Sequence, residues 1–381
     1  MGRNVLIMIA LLFLLSGNKN IKTGERMFFK TSFHPDKANR VNKLFFNFND
    51  SIPDDTLKLY FSSDNLPVVF SRDISTAVCF DSLCRFVNLT LYWEVFGKYI
   101  GYSIRDGDEL TKKEHTLFSQ SDYIRLNEIL NDSLSALKFY SLDKIISAKN
   151  AVGKVDGISG ATIPNLEPWI VPEAAFTSFT LWHITYGATQ DSIVAYTKKN
   201  LLFSDLLICA LQNNDPFNQI KALEWISATH LSWDQFIEPA LNILHNENYN
   251  ASKQALKFLK KCNLSEEVLQ KQMIPLFEND DLRFKNMVID YVNSSNQLSN
   301  SAAKEMIKLL KSDNYYMVNT VLTLFAKKYH PDYEDQLHLC TLLRSKNINV
   351  ANRAYNYLFN FSNQSPFIVR QLTHYRRLNL P

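Results

Sequence analysis

Leu244-His-Asn-Glu-Asn-Tyr-Asn-Ala-Ser-Lys-Gln-Ala-Leu-Lys-Phe-Leu259 is followed further along the chain by Phe277-Glu-Asn-Asp-Asp-Leu-Arg-Phe-Lys-Asn-Met-Val-Ile-Asp-Tyr-Val292. Both run from an apolar residue through a short polar link into apolar residues spaced by 3 and 4. The same frame recurs at one constant interval, with polar links beginning at Asn213, Asn246, Asn279, Ser312 and Ser345 and no insertion between them. Leu211, Leu244, Phe277, Leu310 and Leu343 precede the links, and Leu207, Ala240, Met273, Met306 and Leu339 stand one helical turn earlier. Beyond them lie Ala222, Ala255, Val288, Val321 and Ala354, then Trp225, Phe258, Tyr291, Leu324 and Tyr357, then Ile226, Leu259, Val292, Phe325 and Leu358.

Offsets of 3 and 4 put these side chains on one face of a helix. Each unit therefore reads as two short helices joined by a tight link whose Asn, Asp and Ser side chains suit helix N-caps. One such pair cannot bury its apolar stripe alone, whereas a stack of pairs can, which predicts an all-α solenoid. The pattern resembles HEAT-like repeats, five of them over residues 199–363, with Pro275 inside a first helix as a kink. The chain lacks the Thr-Pro-Leu-His signature of ankyrin units, although their length is the same. Residues 364–381 read as a cap on the last repeat, with basic His374, Arg376 and Arg377 exposed. Lys260-Lys261 and Lys327-Lys328 close second helices, where a cation favours the helix dipole and needs no ligand. A solenoid presents an extended surface, so a protein partner is the expected use of this half.

Residues 26–198 read differently, as an α+β domain with a mostly antiparallel sheet. Strand signals fall at Lys43–Asn49, Thr56–Ser62, Pro67–Phe70 and Ala77–Phe80. The clearest is Phe86–Val95, which continues through Phe96-Gly97-Lys98 into Tyr99–Ile104 and predicts a hairpin with Gly97 in its turn. A helix is expected from Ser119 or Gln120 through Leu130, and a second helical stretch after Ser141.

The chain has 381 residues, 46% of them hydrophobic, with 10 Gly and 12 Pro, which excludes disordered and collagen-like classes. With 41 basic and 38 acidic residues the net charge is +3, so nucleic acid is not an expected partner. Residues 1–19 have Arg3 before an unbroken apolar run from Val5 to Leu15, then the small Ser16 and Gly17. That run is short for hydrocarbon about 30 Å thick and fits a signal peptide or an N-terminal membrane anchor. The expected location is thus exported, periplasmic or on the extracytoplasmic membrane face. Of 5 cysteines, Cys79 and Cys84 are close enough for a small-loop disulfide in an exported chain, or for a redox dithiol.

The chemistry concentrates in Val155-Asp156-Gly157-Ile158-Ser159-Gly160-Ala161-Thr162. Gly157 and Gly160 free the backbone, and Ser159, Gly160 and Ala161 are small enough to let a bulky group approach. Thr162 sets a hydroxyl beside that surface, and Asp156 can order the loop or bind a cation. Asp-x-x-Ser-Gly-Ala-Thr resembles the signature of the FMN-binding domain family. That family includes flavin-carrying subunits of sodium-pumping NADH:quinone oxidoreductases and of Rnf electron-transfer complexes. The looser likeness spans residues 73–197. The resemblance implies FMN held by a phosphoester at Thr162, with Asp156, Ser159, Gly160 and Ala161 as the frame recognised by a flavin transferase, which installs FMN from FAD with Mg²⁺. Family members commonly continue with Ser or Thr and enter a helix, whereas this chain continues Ile163-Pro164-Asn165-Leu166-Glu167-Pro168.

Pro172 through Gly187 reads as a helix with proline in its first turn and glycine at its stop. Phe176, Phe179, Trp182, His183 and Tyr186 share overlapping faces, as a ring-rich core helix or as a wall beside an isoalloxazine ring. Thr177, Thr180 and His183 are the candidates for the flavin's polar edge. The sequence thus predicts an exported FMN-binding electron-transfer protein, a carrier or oxidoreductase subunit, docked to a redox partner through its repeats. The alternative is a non-redox interaction scaffold with a degenerate flavin-binding domain, which the irregular run after Thr162 favours. A thiol redox role for Cys79 and Cys84 is the third reading.

Overall fold

A computed structural model describes residues 25–29, 34–48, 50, 52, 55–77, 86–112, 115–141, 167–310, 314–361 and 364–379. The chain divides into two compact units, Met1–Leu206 and Leu207–Pro381.

The first unit is an α+β domain built on one antiparallel sheet. Its strands are β1 (Glu25–Phe29), β2 (Arg40–Phe45), β3 (Thr56–Phe61), β4 (Pro67–Thr76), β5 (Val87–Glu94) and β6 (Tyr99–Arg105), in the order β1-β6-β5-β4-β3-β2. All five pairings are antiparallel. The expected hairpin joins β5 to β6, and Gly97 turns it at φ 86°. Side chains alternate between the two faces. One face carries Leu57, Arg72, Leu91 and Tyr102 in a row, with Leu59, Phe70 and Trp93 beside it, each no more than 1% exposed. Burying a side chain such as Phe70 contributes about 1.5–3 kcal/mol.

Helices α1 (Gln120–Asn131), α2 (Ala175–Tyr186) and α3 (Ala188–Asn200) cover this face. Ser119 caps α1 in a reciprocal box with Asp122. Tyr102 donates to Tyr123 O at 2.8 Å, Trp93 Nε1 to Thr185 O at 3.0 Å, and Thr197 Oγ1 to Val95 O at 2.7 Å, so each helix is fastened to the sheet or its hairpin. Arg72 is fully buried and makes a bidentate pair with Asp50 at 2.6 and 2.9 Å. It also donates to Thr189 Oγ1 at 2.8 Å and lies 3.8 Å from the Phe48 ring centroid, tying β4 to residues 46–55 and to α3.

Three sequence expectations shift. β4 runs on past Phe70 to Thr76, and the strand expected at Ala77–Phe80 does not begin at Ala77; residues 78–80 lie outside the described residues. β2 lies at Arg40–Phe45, because Phe46 and Phe48 leave the sheet to pack on Tyr196 and on Arg72. α2 starts at Ala175, beyond the proline expected to open it, because Glu173 sits at φ 62°, a conformation no α-helix contains.

The second unit is all α, in α4 (Ser204–Gln212), α5 (Pro216–Ile226), α6 (Asp234–Leu244), α7 (Tyr249–Leu259), α8 (Glu266–Met273), α9 (Leu282–Ser294), α10 (Asn300–Leu309), α11 (Tyr315–Lys328), α12 (Tyr333–Thr341), α13 (Ile348–Phe359) and α14 (Pro366–Asn379). The second helix of every pair, α5, α7, α9, α11 and α13, begins at Pro216, Tyr249, Leu282, Tyr315 and Ile348, which is the interval of the polar links. Its N-cap is Asp215, Asn248, Asp281, Asn314 or Asn347, and in all five the side chain accepts a backbone N–H of the first turn. The residues two positions earlier brace the link: Asn213, Asn246, Asn279 and Ser345 accept from the N-cap's own N–H. Ala222, Ala255, Val288, Val321 and Ala354 are 0% exposed, and so are Ile226, Leu259, Val292, Phe325 and Leu358. Each second helix packs on the next pair's second helix where α5 meets α7, α7 meets α9 and α11 meets α13, while α8, α10, α12 and α14 pack in a parallel row. Pro275 does not kink a helix: α8 ends at Met273, and Pro275 sits in a 3₁₀ turn, Ile274–Glu278. A proline lacks the N–H and crowds the carbonyl one turn back, so the α-helix stops there. No helix among the described residues is long and apolar enough to cross a membrane.

Candidate functional site

The motif residues Asp156, Ser159, Gly160, Ala161 and Thr162 lie outside the described residues, as do Cys79 and Cys84. The candidates that the structure does place are Thr177, Thr180, Trp182 and His183, all on α2.

The stretch 142–166, which carries the motif, runs between two short turns, Ala136–Phe139 and Glu167–Trp169. The described residues on both sides of it are fastened to the same helix. On the leading side, His183 Nε2 lies 3.2 Å from Leu137 O, and Trp182 Nε1 donates to Asp132 O at 2.9 Å. On the trailing side, Val171 N–H donates to Ser178 Oγ at 2.9 Å. Arg125 of α1 also donates to Pro168 O. Asp132, Leu137, Pro168 and Val171 are therefore held against α2 and its neighbour α1.

α2 is mostly rings. Phe179 and His183 lie 4.2 Å apart between centroids, Trp182 meets His183 edge-on at 5.1 Å, and Trp182 meets Tyr186 at 5.0 Å. Tyr186 donates to Leu130 O at 2.7 Å, where α1 ends. Trp182, His183 and Tyr186 thus bond the carbonyls of Asp132, Leu137 and Leu130, the first two of which also accept the backbone N–H groups of Ser135 and Tyr140. Thr177 is buried, at 3% exposed, while Thr180 and His183 are half-buried. Burial lowers the His183 pKa below its ordinary value, outweighing the opposing bond to Leu137 O. A carbonyl can only accept, so Nε2 carries the proton and Nδ1 of the neutral ring is an acceptor. Leu134 and Phe139, on the stretch these side chains grip, are 89% and 76% exposed.

A second polar group sits on the opposite face of the sheet, where sequence reading found nothing. Asp73 accepts from Lys58 Nζ at 2.6 Å and Thr90 Oγ1 at 2.7 Å, with Arg105 at 3.8 Å. Partial burial works to raise its pKa, but the hydrogen bonds and the two cations prevail and hold it below the usual carboxylate range. Next to it Ser71 donates to Tyr60 Oη at 3.2 Å, and Tyr92 pairs with Ser103 at 3.0 Å. The signal was the adjacent Arg72-Asp73 in a strand: alternation sends one charge to each face. These groups satisfy one another and read as a structural patch.

No protein-family model matches the chain, and no curated protein matches it.

Proposed function

We propose that the protein is an exported FMN-binding electron-transfer protein. Its flavin is attached at Thr162, and its helical repeats dock it to a redox partner. The observation that supports this reading is the fastening to α2 of Leu137 and Val171, described residues on either side of the stretch 142–166. Asp132, Leu137 and Val171, described residues before and after the stretch 142–166, thus lie against a helix that carries Phe, Trp, His and Tyr rings. The chemistry of the side chains is compatible with the group: ring faces for stacking, the acceptor His183 Nδ1 and the Thr180 hydroxyl for the flavin's polar edge. When bound, FMN supplies the one- and two-electron chemistry. The chain's own part is to hold the ring system, exclude water from one face and fix the polar edge. Attachment would join Thr162 Oγ to the FMN phosphorus of FAD, with AMP leaving and the hydroxyl proton released.

The test is coexpression of the full chain with a flavin transferase, followed by denaturing gel fluorescence and intact mass. Expected are fluorescence that stays with the chain, a mass increment of one FMN, and loss of both in Thr162→Ala. Colourless protein at the mass of the bare chain refutes covalent attachment. That outcome favours the second reading, a non-redox scaffold with a degenerate domain, for which the commitment of the Trp182, His183 and Tyr186 tips to backbone carbonyls is the supporting observation.

A further inference from the structure

The solvent face of α7 is a run of lysines. Lys253, Lys257, Lys260 and Lys261 are all exposed, opposite the buried Ala251, Ala255, Phe258 and Leu259. They span the helix from its first turns to its end. The dipole favours Lys257 in the last turn and Lys260 and Lys261 just past it, but does not account for Lys253 in the middle of the helix. Like charges four apart cost about 0.2–0.5 kcal/mol per pair. None of the four lysines makes an ion pair among the described residues, and the pairs nearby are Lys221–Glu224 on α5 and Arg283–Asp281 at the start of α9. Lys253 and Lys260 instead lie 5.8 and 5.7 Å from the ring centroids of Tyr249 and Tyr291.

The repeat does not demand these lysines. The positions equivalent to Lys253 are Ile220, Asn286, Asn319 and Asn352, and those equivalent to Lys257 are Glu224, Asp290, Thr323 and Asn356. The cationic stripe belongs to one helix. On the neighbouring second helices Glu224 and Asp290 hold the position of Lys257, and Leu282, the first residue of α9, is 52% exposed.

We propose that this face of α7 docks an acidic segment of a protein partner, with carboxylates about 6 Å apart to match lysines one helical turn apart. Charge complementarity carries the choice. A nucleic acid or an anionic bilayer presents a continuous negative surface, which the flanking Glu224 and Asp290 would meet unfavourably. A discrete segment fits between them, with its apolar residues on Leu282 and Tyr249. The inference deepens the docking half of the proposed function and rests on that half, not on the flavin.

The probe is a fluorescein-labelled, Ala-rich helical peptide with glutamate at every fourth position, titrated with the full chain by anisotropy at low salt. The triple variant Lys253→Gln/Lys257→Gln/Lys260→Gln should bind at least ~10-fold more weakly, a loss of about 1.4 kcal/mol. Arg370→Gln/Arg376→Gln/Arg377→Gln, which removes as many charges from α14, should change binding less than ~2-fold, as expected for remote screened charges. The reversed triple, Lys→Glu at the same three positions, should bind a lysine version of the peptide, which shows that it is folded. No binding of the glutamate peptide to the wild-type chain, equal loss in the two glutamine variants, or stronger binding to phosphatidylglycerol vesicles than to the peptide would each overturn the proposal. The Thr162→Ala chain separates the two questions: if it still binds the peptide, docking stands whatever the flavin assay returns.

Discussion

Removing Asp50 tests how the first unit is held together. Its carboxylate is the bidentate partner of a guanidinium with 0% exposure, at 2.6 and 2.9 Å. Breaking a buried pair by deleting one member costs about 3–5 kcal/mol, because the survivor keeps its desolvation penalty. Two features put Asp50→Ala at the lower end. Asp55 stands 3.9 Å from the same guanidinium, and the Asp50 side chain is itself 26% exposed. The expected loss is about 3 kcal/mol, roughly a 100-fold shift in the opening equilibrium. Arg72→Met should cost less, about 2 kcal/mol, since the stranded Asp50 can hydrate while the Thr189 bond and the Phe48 contact are lost. The double variant should then cost little more than Arg72→Met alone, a coupling of about 2–3 kcal/mol. A chain of two units is not a two-state system. The assay is therefore hydrogen exchange by mass spectrometry, read on β4 and α3 with α7 as internal control. An Asp50→Ala chain whose β4 exchanges less than ~5-fold faster, with additive effects in the double variant, would refute the reasoning.

Two further outcomes follow from single residues. At Gly101, φ is 153° and an added Cβ would lie 2.3 Å from Phe28 O and 2.2 Å from Phe29 Cδ1, so Gly101→Ala should unpair β1 and strip the protection of Glu25–Phe29; unchanged exchange there would contradict the close approach. His183 has a lowered pKa, so its neutral ring contributes stability that is fully present above about pH 6.5 and lost as pH falls toward the folded value. His183→Gln keeps a donor for Leu137 O and should lose less thermal stability than wild type between pH 7 and pH 5; identical slopes would show that the ring is not buried neutral.

The second unit was legible because its signal is repeated. A single Ala or Val one turn from a Leu says little, but the row from Ala222 to Ala354 recurs at one interval, and all five members are fully buried. The N-caps were readable for the same reason. The first unit had no such redundancy. Ser71-Arg72-Asp73 looks like the end of a strand, yet the strand continues because Arg72 finds Asp50 and Thr189 on one face and Asp73 finds Lys58 and Thr90 on the other. Such partners are distant in sequence, so no local pattern announces them. In sequence Pro275 reads as a kink within one helix, not as the point where an α-helix gives way to a 3₁₀ turn, which depends on how the following link packs.

The candidate wall shows a deeper limit. Ring spacing on α2 allowed either a core helix or a flavin wall, and the structure buries Leu181 and Trp182 while leaving Phe179, His183 and Tyr186 half-buried. Trp182, His183 and Tyr186 each direct their donor to a carbonyl between Leu130 and Leu137, which fixes their ring planes without using their faces. A flavin held there, as proposed, would meet rings already oriented and would displace none of those bonds. It follows that replacing a donor should disturb α2 and the leading end of the motif stretch together. Replacing Phe179, whose ring lies tilted against His183, should leave the fastening intact and alter contact with the proposed flavin. The two kinds of substitution separate a wall that merely supports the motif from one that touches its cofactor.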